Sequence, residues 1–170
     1  VSAVAGHDAS GESGALPAAG TVVVALDVGE ARIGVAVGRI GSGFAFGRGT
    51  IRGGDTARTV AELATLIERE GARQLVVGLP LRTDGSDSPQ TERVRALAAA
   101  LAPLGLPVEL VDERFTSQAA QRSLRGSGLP RGKRQQKGRI DEASAILTLE
   151  TYLARLERHR AEGDEPLERR

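Results

Sequence analysis

The sequence predicts an α/β protein: one mixed sheet, built from an antiparallel three-strand meander and two parallel strands, with helices on both faces. Three observations predict it. Three short apolar runs follow one another between residues 21 and 51 with tight turns between them, the pattern of a meander. From residue 55 the period changes, and helical and strand-like segments alternate, as parallel strands joined by crossovers require. A last helical segment near the C-terminus has no strand after it.

Each element follows from its residues. Thr21–Asp27 (TVVVALD) is a β-branched run suited to a strand buried on both faces. Val28–Ala31 connects it to Arg32–Gly38 (RIGVAVG). Gly41-Ser42-Gly43 is a turn signal, and Phe44–Ile51 alternates into the third strand. Asp55 or Thr56 caps a helix whose apolar positions are Val60, Leu63, Leu66 and Ile67, ending at Gly71. Gln74–Leu79 is a buried strand. After the loop Pro80–Asp87, Ser88 is an N-cap and Pro89 suits a first helical turn, opening a helix through Val94, Leu97, Ala98 and Leu101. Pro107–Val111 is the last strand, and a short helix is expected near Thr116–Arg125. Gly126–Gly138 is a Gly-, Arg- and Lys-rich loop. Ile140–Leu156 is a helix with Ile140, Ala143, Ile146 or Leu147, Leu149, Leu153 and Leu156 on one face.

The order is β-β-β-α-β-α-β-α-α. Right-handed crossovers place the first strand centrally, with the meander on one side and the later strands on the other. That is the ribonuclease-H-like layout. The expected organisation is a disordered tail over 1–20, one domain over 21–156 and a charged tail over 157–170.

Composition excludes several chemistries. With no cysteine there are no disulfides, thiolate metal sites or cysteine nucleophiles. The two histidines, His7 and His159, lie near the chain ends, which argues against a Ser-His-Asp triad. No apolar run reaches the roughly 18 residues of a membrane span, and no signal peptide is evident, so a cytoplasmic protein is expected. Net charge is only +1, but its distribution is uneven. Between Arg114 and Arg139 there is no acid, while Arg114, Arg122, Arg125, Arg131, Lys133, Arg134, Lys137 and Arg139 all fall there. Such a block suits a polyanion, or else is simply a solvated loop.

Chemistry is left to carboxylates. Asp27 ends an apolar strand and precedes Val28-Gly29, where a buried charge is costly unless something positive meets it. Glu113 stands at another strand end, in Val111-Asp112-Glu113-Arg114. Asp112 and Glu113 point to opposite faces of a continuing strand, so only one of them can address a given site. Asp141 is expected at the start of the last helix, where backbone N–H groups favour an acid. Each alone has an ordinary explanation: a turn Asp, a surface acid pair, a helix-start acid. Together they could converge at one sheet edge and hold magnesium beside nucleic-acid phosphates.

Four ordered segments then resemble one family: ALDVGEARIGVAVG (25–38), VGLPLRTDG (77–85), VDERFTS (111–117) and IDEASAILTLETYL (140–153). Over residues 21–156 the chain resembles the YqgF/RuvX family of pre-16S rRNA nucleases, also described as Holliday-junction-resolvase-like proteins. Ala31 stands where the family pattern usually has a lysine. The resemblance implies the ribonuclease-H-like fold, with Asp27, Glu113 and Asp141 as catalytic, metal-binding residues. It implies Mg2+ or Mn2+ as cofactor. Arg32, Arg114, Arg131, Lys133, Arg134, Lys137 and Arg139 are the expected nucleic-acid contacts, and the Gly-Leu-Pro-Leu stretch shapes a nearby loop.

The expected function is metal-dependent endonucleolytic cleavage in 5′-end processing of pre-16S rRNA. One alternative is resolution of four-way DNA junctions, which would require a homodimer. Another is a weakly catalytic RNA-binding factor in ribosome assembly, although a pure binder has no need of three converging acids. A kinase-like phosphate-binding fold would need a second domain, for which 170 residues leave no room.

Overall fold

The computed structural model describes residues 16–82, 84–112 and 137–163. Five strands, β1 (Val22–Val28), β2 (Arg32–Arg39), β3 (Ala45–Arg52), β4 (Gln74–Leu79) and β5 (Val108–Asp112), form one sheet in the order β3-β2-β1-β4-β5. β1 pairs antiparallel with β2 and parallel with β4, and β5 runs parallel to β4. The central first strand and the flanking meander are those expected from the sequence.

Alternation along the strands divides the core. Val22, Val24, Leu26 and Val28 face α1 (Thr56–Glu70) and α2 (Pro89–Leu101), against Leu63, Leu66, Val94 and Leu97. Val23 and Ala25 face the opposite way and pack with Ala145, Leu149, Tyr152 and Leu153 of α3 (Lys137–Gly163). Both crossover helices thus cover one face, and among the described residues α3 covers the other.

Local chemistry sets the ends of the helices. The Asp55 side chain accepts from Arg58 N at the start of α1, and Gly71 ends it in the left-handed region at φ 66°. Ser88 caps α2 through a reciprocal bond with Thr91, and Pro89 opens the helix. A single 3-10 turn over Ala102–Leu104, which the sequence did not announce, follows α2.

Two expectations are corrected. The last helix extends well beyond Ile140–Leu156, and Lys137 and Gly138 are helical rather than part of the loop. Asp141 is therefore inside the helix, and its first described turn carries no acid. Unpaired N–H groups of that turn cannot be what stabilises it; a side-chain partner does so, as shown below. The tail expected to be disordered through Gly20 is anchored earlier. Gly20 N donates to Ile40 O at 2.8 Å, Thr21 N to Ala18 O at 3.2 Å, and Arg160 of α3 donates to Pro17 O. The expected helix near 116–125 and the loop up to residue 136 lie outside the described residues. Among the described residues, no helix is long and apolar enough to cross a membrane.

The α3 interface contains one buried polar pair: Gln74 Nε2 donates to Tyr152 Oη at 2.6 Å. Burial pushes the Tyr152 hydroxyl above its ordinary pKa. Tyr152→Phe leaves the buried amide without this partner and should destabilise the fold by about 1–3 kcal/mol. Urea denaturation checks this, with an unchanged midpoint counting against it.

Candidate active site

Asp27 is the third member of the Val23–Ala25–Asp27 alternation, so it shares the α3 face of the sheet, and it is only partly buried. Its cross-strand partner on β2 is Gly34. A Cβ at Gly34 would lie 1.9 Å from Asp141 O and 2.9 Å from Glu142 N. The backbone of α3 therefore rests directly on Gly34, one strand spacing of about 4.8 Å from the Asp27 backbone. A missing side chain on β2 is what lets Asp141 come down beside Asp27.

The Asp141 carboxylate meets a cation there. Arg32 Nε lies 3.4 Å from Asp141 Oδ2, with the two side chains 39% and 18% exposed. That separation is an ion pair without a hydrogen bond, and Arg32 Nε is buried with no hydrogen-bond partner. Asp27, Arg32 and Asp141 thus gather where β1 ends and β2 begins. The parallel strands β4 and β5 end on the same edge.

Glu142, the next residue on α3, turns to β3. Its Oε1 accepts from Gly49 N at 2.9 Å, and a Cβ at Gly47 would stand 2.0 Å from the same oxygen. Glu142 fixes α3 over the meander, and so positions Asp141. Sequence reasoning missed it. The available signal was the glycine pattern, Gly34 and Gly38 on β2 and Gly47 on the neighbouring β3, which leaves a trough for a closely packed helix.

The other expected residues distribute as follows. Asp112 ends β5 with the parity of Val108 and Leu110, which pack on the α1–α2 side, away from Asp27. Arg139 is exposed on α3, and Lys137 begins the described helix. Glu113, Arg114, Arg131, Lys133 and Arg134 lie outside the described residues. Among the described residues no group of three or more His, Cys, Asp or Glu could hold a metal ion. Asp27 and Asp141 supply two carboxylates. A hard, oxygen-only donor set suits Mg2+ or Mn2+, which are commonly held by one or two carboxylates and complete their shells with water and phosphate.

The profile of the RuvX family, described as Holliday junction resolvase, matches residues 21–155. A Thermus thermophilus protein described as "Putative pre-16S rRNA nuclease" is 49% identical over 133 residues, covering 78% of this chain and 97% of that one. Ribonuclease YqgF of Deinococcus radiodurans is 44% identical over 144 residues, covering 82% and 92%. The solved structure of T. thermophilus RuvC with a Holliday junction substrate superposes with a TM-score of 0.53 at 17% identity, covering 81% of this chain and 96% of that one. At that identity the likeness speaks to the fold alone, which is ribonuclease-H-like as the strand order predicted.

Proposed function

This chain belongs to the RuvX family, and on that premise we propose that it is a divalent-metal-dependent endonuclease that hydrolyses nucleic-acid phosphodiester bonds in 5′-end processing of pre-16S rRNA. The observation that supports the reading is the seating of the Asp141 backbone on Gly34, the cross-strand partner of Asp27, at the end of the sheet where β1 stops. Two acids placed together repel each other and are retained at a cost unless cations join them.

Asp27, Asp141 and Glu113 would hold Mg2+ or Mn2+. Bound there, the metal supplies an activated water and charge stabilisation for the leaving oxygen of the phosphodiester. Asp27 and Asp141 orient that chemistry from rigid elements, a central strand and a packed helix. Arg32 keeps Asp141 accompanied by positive charge. Arg114, Arg131, Lys133, Arg134, Lys137 and Arg139 would steer and hold the phosphate backbone. Maturation of rRNA by such an enzyme places it in the cytoplasm.

The family description favours a second substrate, four-way DNA junctions. Symmetric cutting of these would need two copies of the chain. Purified protein offered RNA fragments spanning the 16S 5′ end, four-way junctions and linear duplexes tests both. The RNA should be cut with magnesium or manganese, poorly with calcium, and not in excess chelator. Undiminished cleavage in chelator would refute the metal. Preferential, symmetric junction cutting would replace rRNA as the substrate, and RNA binding without cleavage would reduce the protein to an assembly factor.

A further inference from the structure

We infer that Arg52 binds a backbone phosphate of the substrate, acting together with Arg32 across the β2–β3 ladder; the inference rests on the nuclease reading above and adds a residue to its substrate-binding surface.

The placement of Arg52 depends on an irregularity in β3. Ala45 packs with the α3-side core and Gly47 lies under the Glu142 side chain, so this part of β3 alternates toward α3 at odd positions. If the alternation continued, Ile51 would also face α3 and Arg52 would face away. Instead the β2–β3 register shifts between Gly34 and Ala36, next to Gly49, whose φ is +79°. After the shift Ile51 is buried with the α1–α2 core, and Thr50 and Arg52 stand opposite Gly34 and Arg32. The bulge hands Arg52 to the face that carries Asp27 and Asp141. Bulges beside active sites commonly re-aim a side chain in this way. The ladder continues past the pair, with Gly53 N donating to Ala31 O at 3.0 Å, so the backbones of Arg32 and Arg52 are held side by side.

Two like charges directly opposite each other on one sheet face destabilise the ladder. No acid within the β2–β3 ladder offsets this one. Residues 31–54 include Arg32, Arg39, Arg48 and Arg52 and no acid. Asp141 accompanies Arg32, whereas no ion pair among the described residues includes Arg52, which is exposed. The missing partner is an anion that arrives from outside, next to a site that cleaves phosphodiesters. A guanidinium presents a planar fork of donors that matches phosphate oxygens. Arg32 and Arg52 together would grip a phosphate on the β3 side of the carboxylates, opposite the side from which β4 and β5 approach.

Arg48 supplies the control. It lies within the shift, between Gly47 and Thr50, pairs with Glu70 of α1 at 3.1 Å, and so faces the other side of the sheet. A fluorescent single-stranded RNA spanning the 16S 5′ end is titrated, over a salt series and in an Asp27→Asn background that prevents cleavage, with the full chain and its Arg52→Ala and Arg48→Ala variants. Arg52→Ala should lower affinity and reduce the log–log salt slope by about 0.7, the share of one single-strand phosphate contact. In the Asp27 enzyme it should raise KM more than it lowers kcat. Arg48→Ala should leave the slope unchanged. An unaltered slope in Arg52→Ala, or an equal change in Arg48→Ala, overturns the assignment. If the parent chain binds neither this RNA nor a four-way junction, the nuclease reading itself fails, which is a distinct outcome.

Discussion

Asp27→Asn should leave the melting temperature unchanged or slightly raised and reduce metal-dependent cleavage by at least about 10^3-fold, some 4 kcal/mol of barrier. The shape of the side chain is kept, so packing on the α3 face is undisturbed. What is lost is the charge, on a partly buried carboxylate whose cross-strand neighbour carries the backbone of Asp141. A carboxylate in such a place suits a cation, and the isosteric amide keeps the packing, which is why the fold should be retained. Glu113→Gln should match it. Asp112→Asn should be mild, because Asp112 has the parity of Leu110 and the α1–α2 side. Initial cleavage rates of the RNA fragment, with melting curves alongside, separate these cases. Near-normal cleavage by Asp27→Asn would remove the metal-site reading, and inactivity of Asp112→Asn with activity of Glu113→Gln would reverse the choice between neighbours.

Much of this was legible because it is local. Asp55, Gly71, Ser88 and Pro89 carry their structural meaning in their own chemistry, and the caps appear where those residues stand. The strand order followed from period changes and crossover handedness. The extent of α3 was not legible: Lys137-Gly138-Arg139 reads as loop by composition, and its helical state comes from continuity with a segment packed on the sheet. The partner of Asp141 was equally hidden, since its pairing with Arg32 depends on where α3 crosses β2. The side to which Arg52 points depends on a register shift against a neighbouring strand, which no spacing within β3 reveals. Glu142 looked like one more acid on a helix because its meaning lies in the absence of side chains at Gly47 and Gly34.

Those glycines provide the sharpest test of how Asp141 is delivered. Neither Gly34 nor Gly47 has a positive φ, so alanine suits the backbone at both, and any penalty must come from contact. At Gly34 the added methyl would meet Asp141 O and Glu142 N, atoms of a helix backbone that cannot rotate aside. Gly34→Ala must therefore lift α3, at about 3 kcal/mol or more, the upper part of the range for overpacking. Asp141 should move away from Asp27 with it, and cleavage should fall at least tenfold even where the protein remains folded. At Gly47 the methyl would meet the Glu142 side chain, whose flexible far end can swing away at the expense of its bond to Gly49 N. Gly47→Ala should cost about 1.5–3 kcal/mol, as for a lost hydrogen bond to a charged group. The two penalties separate in a Glu142→Ala background. There Gly47→Ala should cost almost nothing further, a non-additive pair, whereas Gly34→Ala should keep its full cost because backbone remains in the way. Denaturation and cleavage measurements on the single and double variants read this directly. A harmless Gly34→Ala would mean that α3 does not rest on β2, and the argument that Asp141 is carried to Asp27 by a missing side chain would fall.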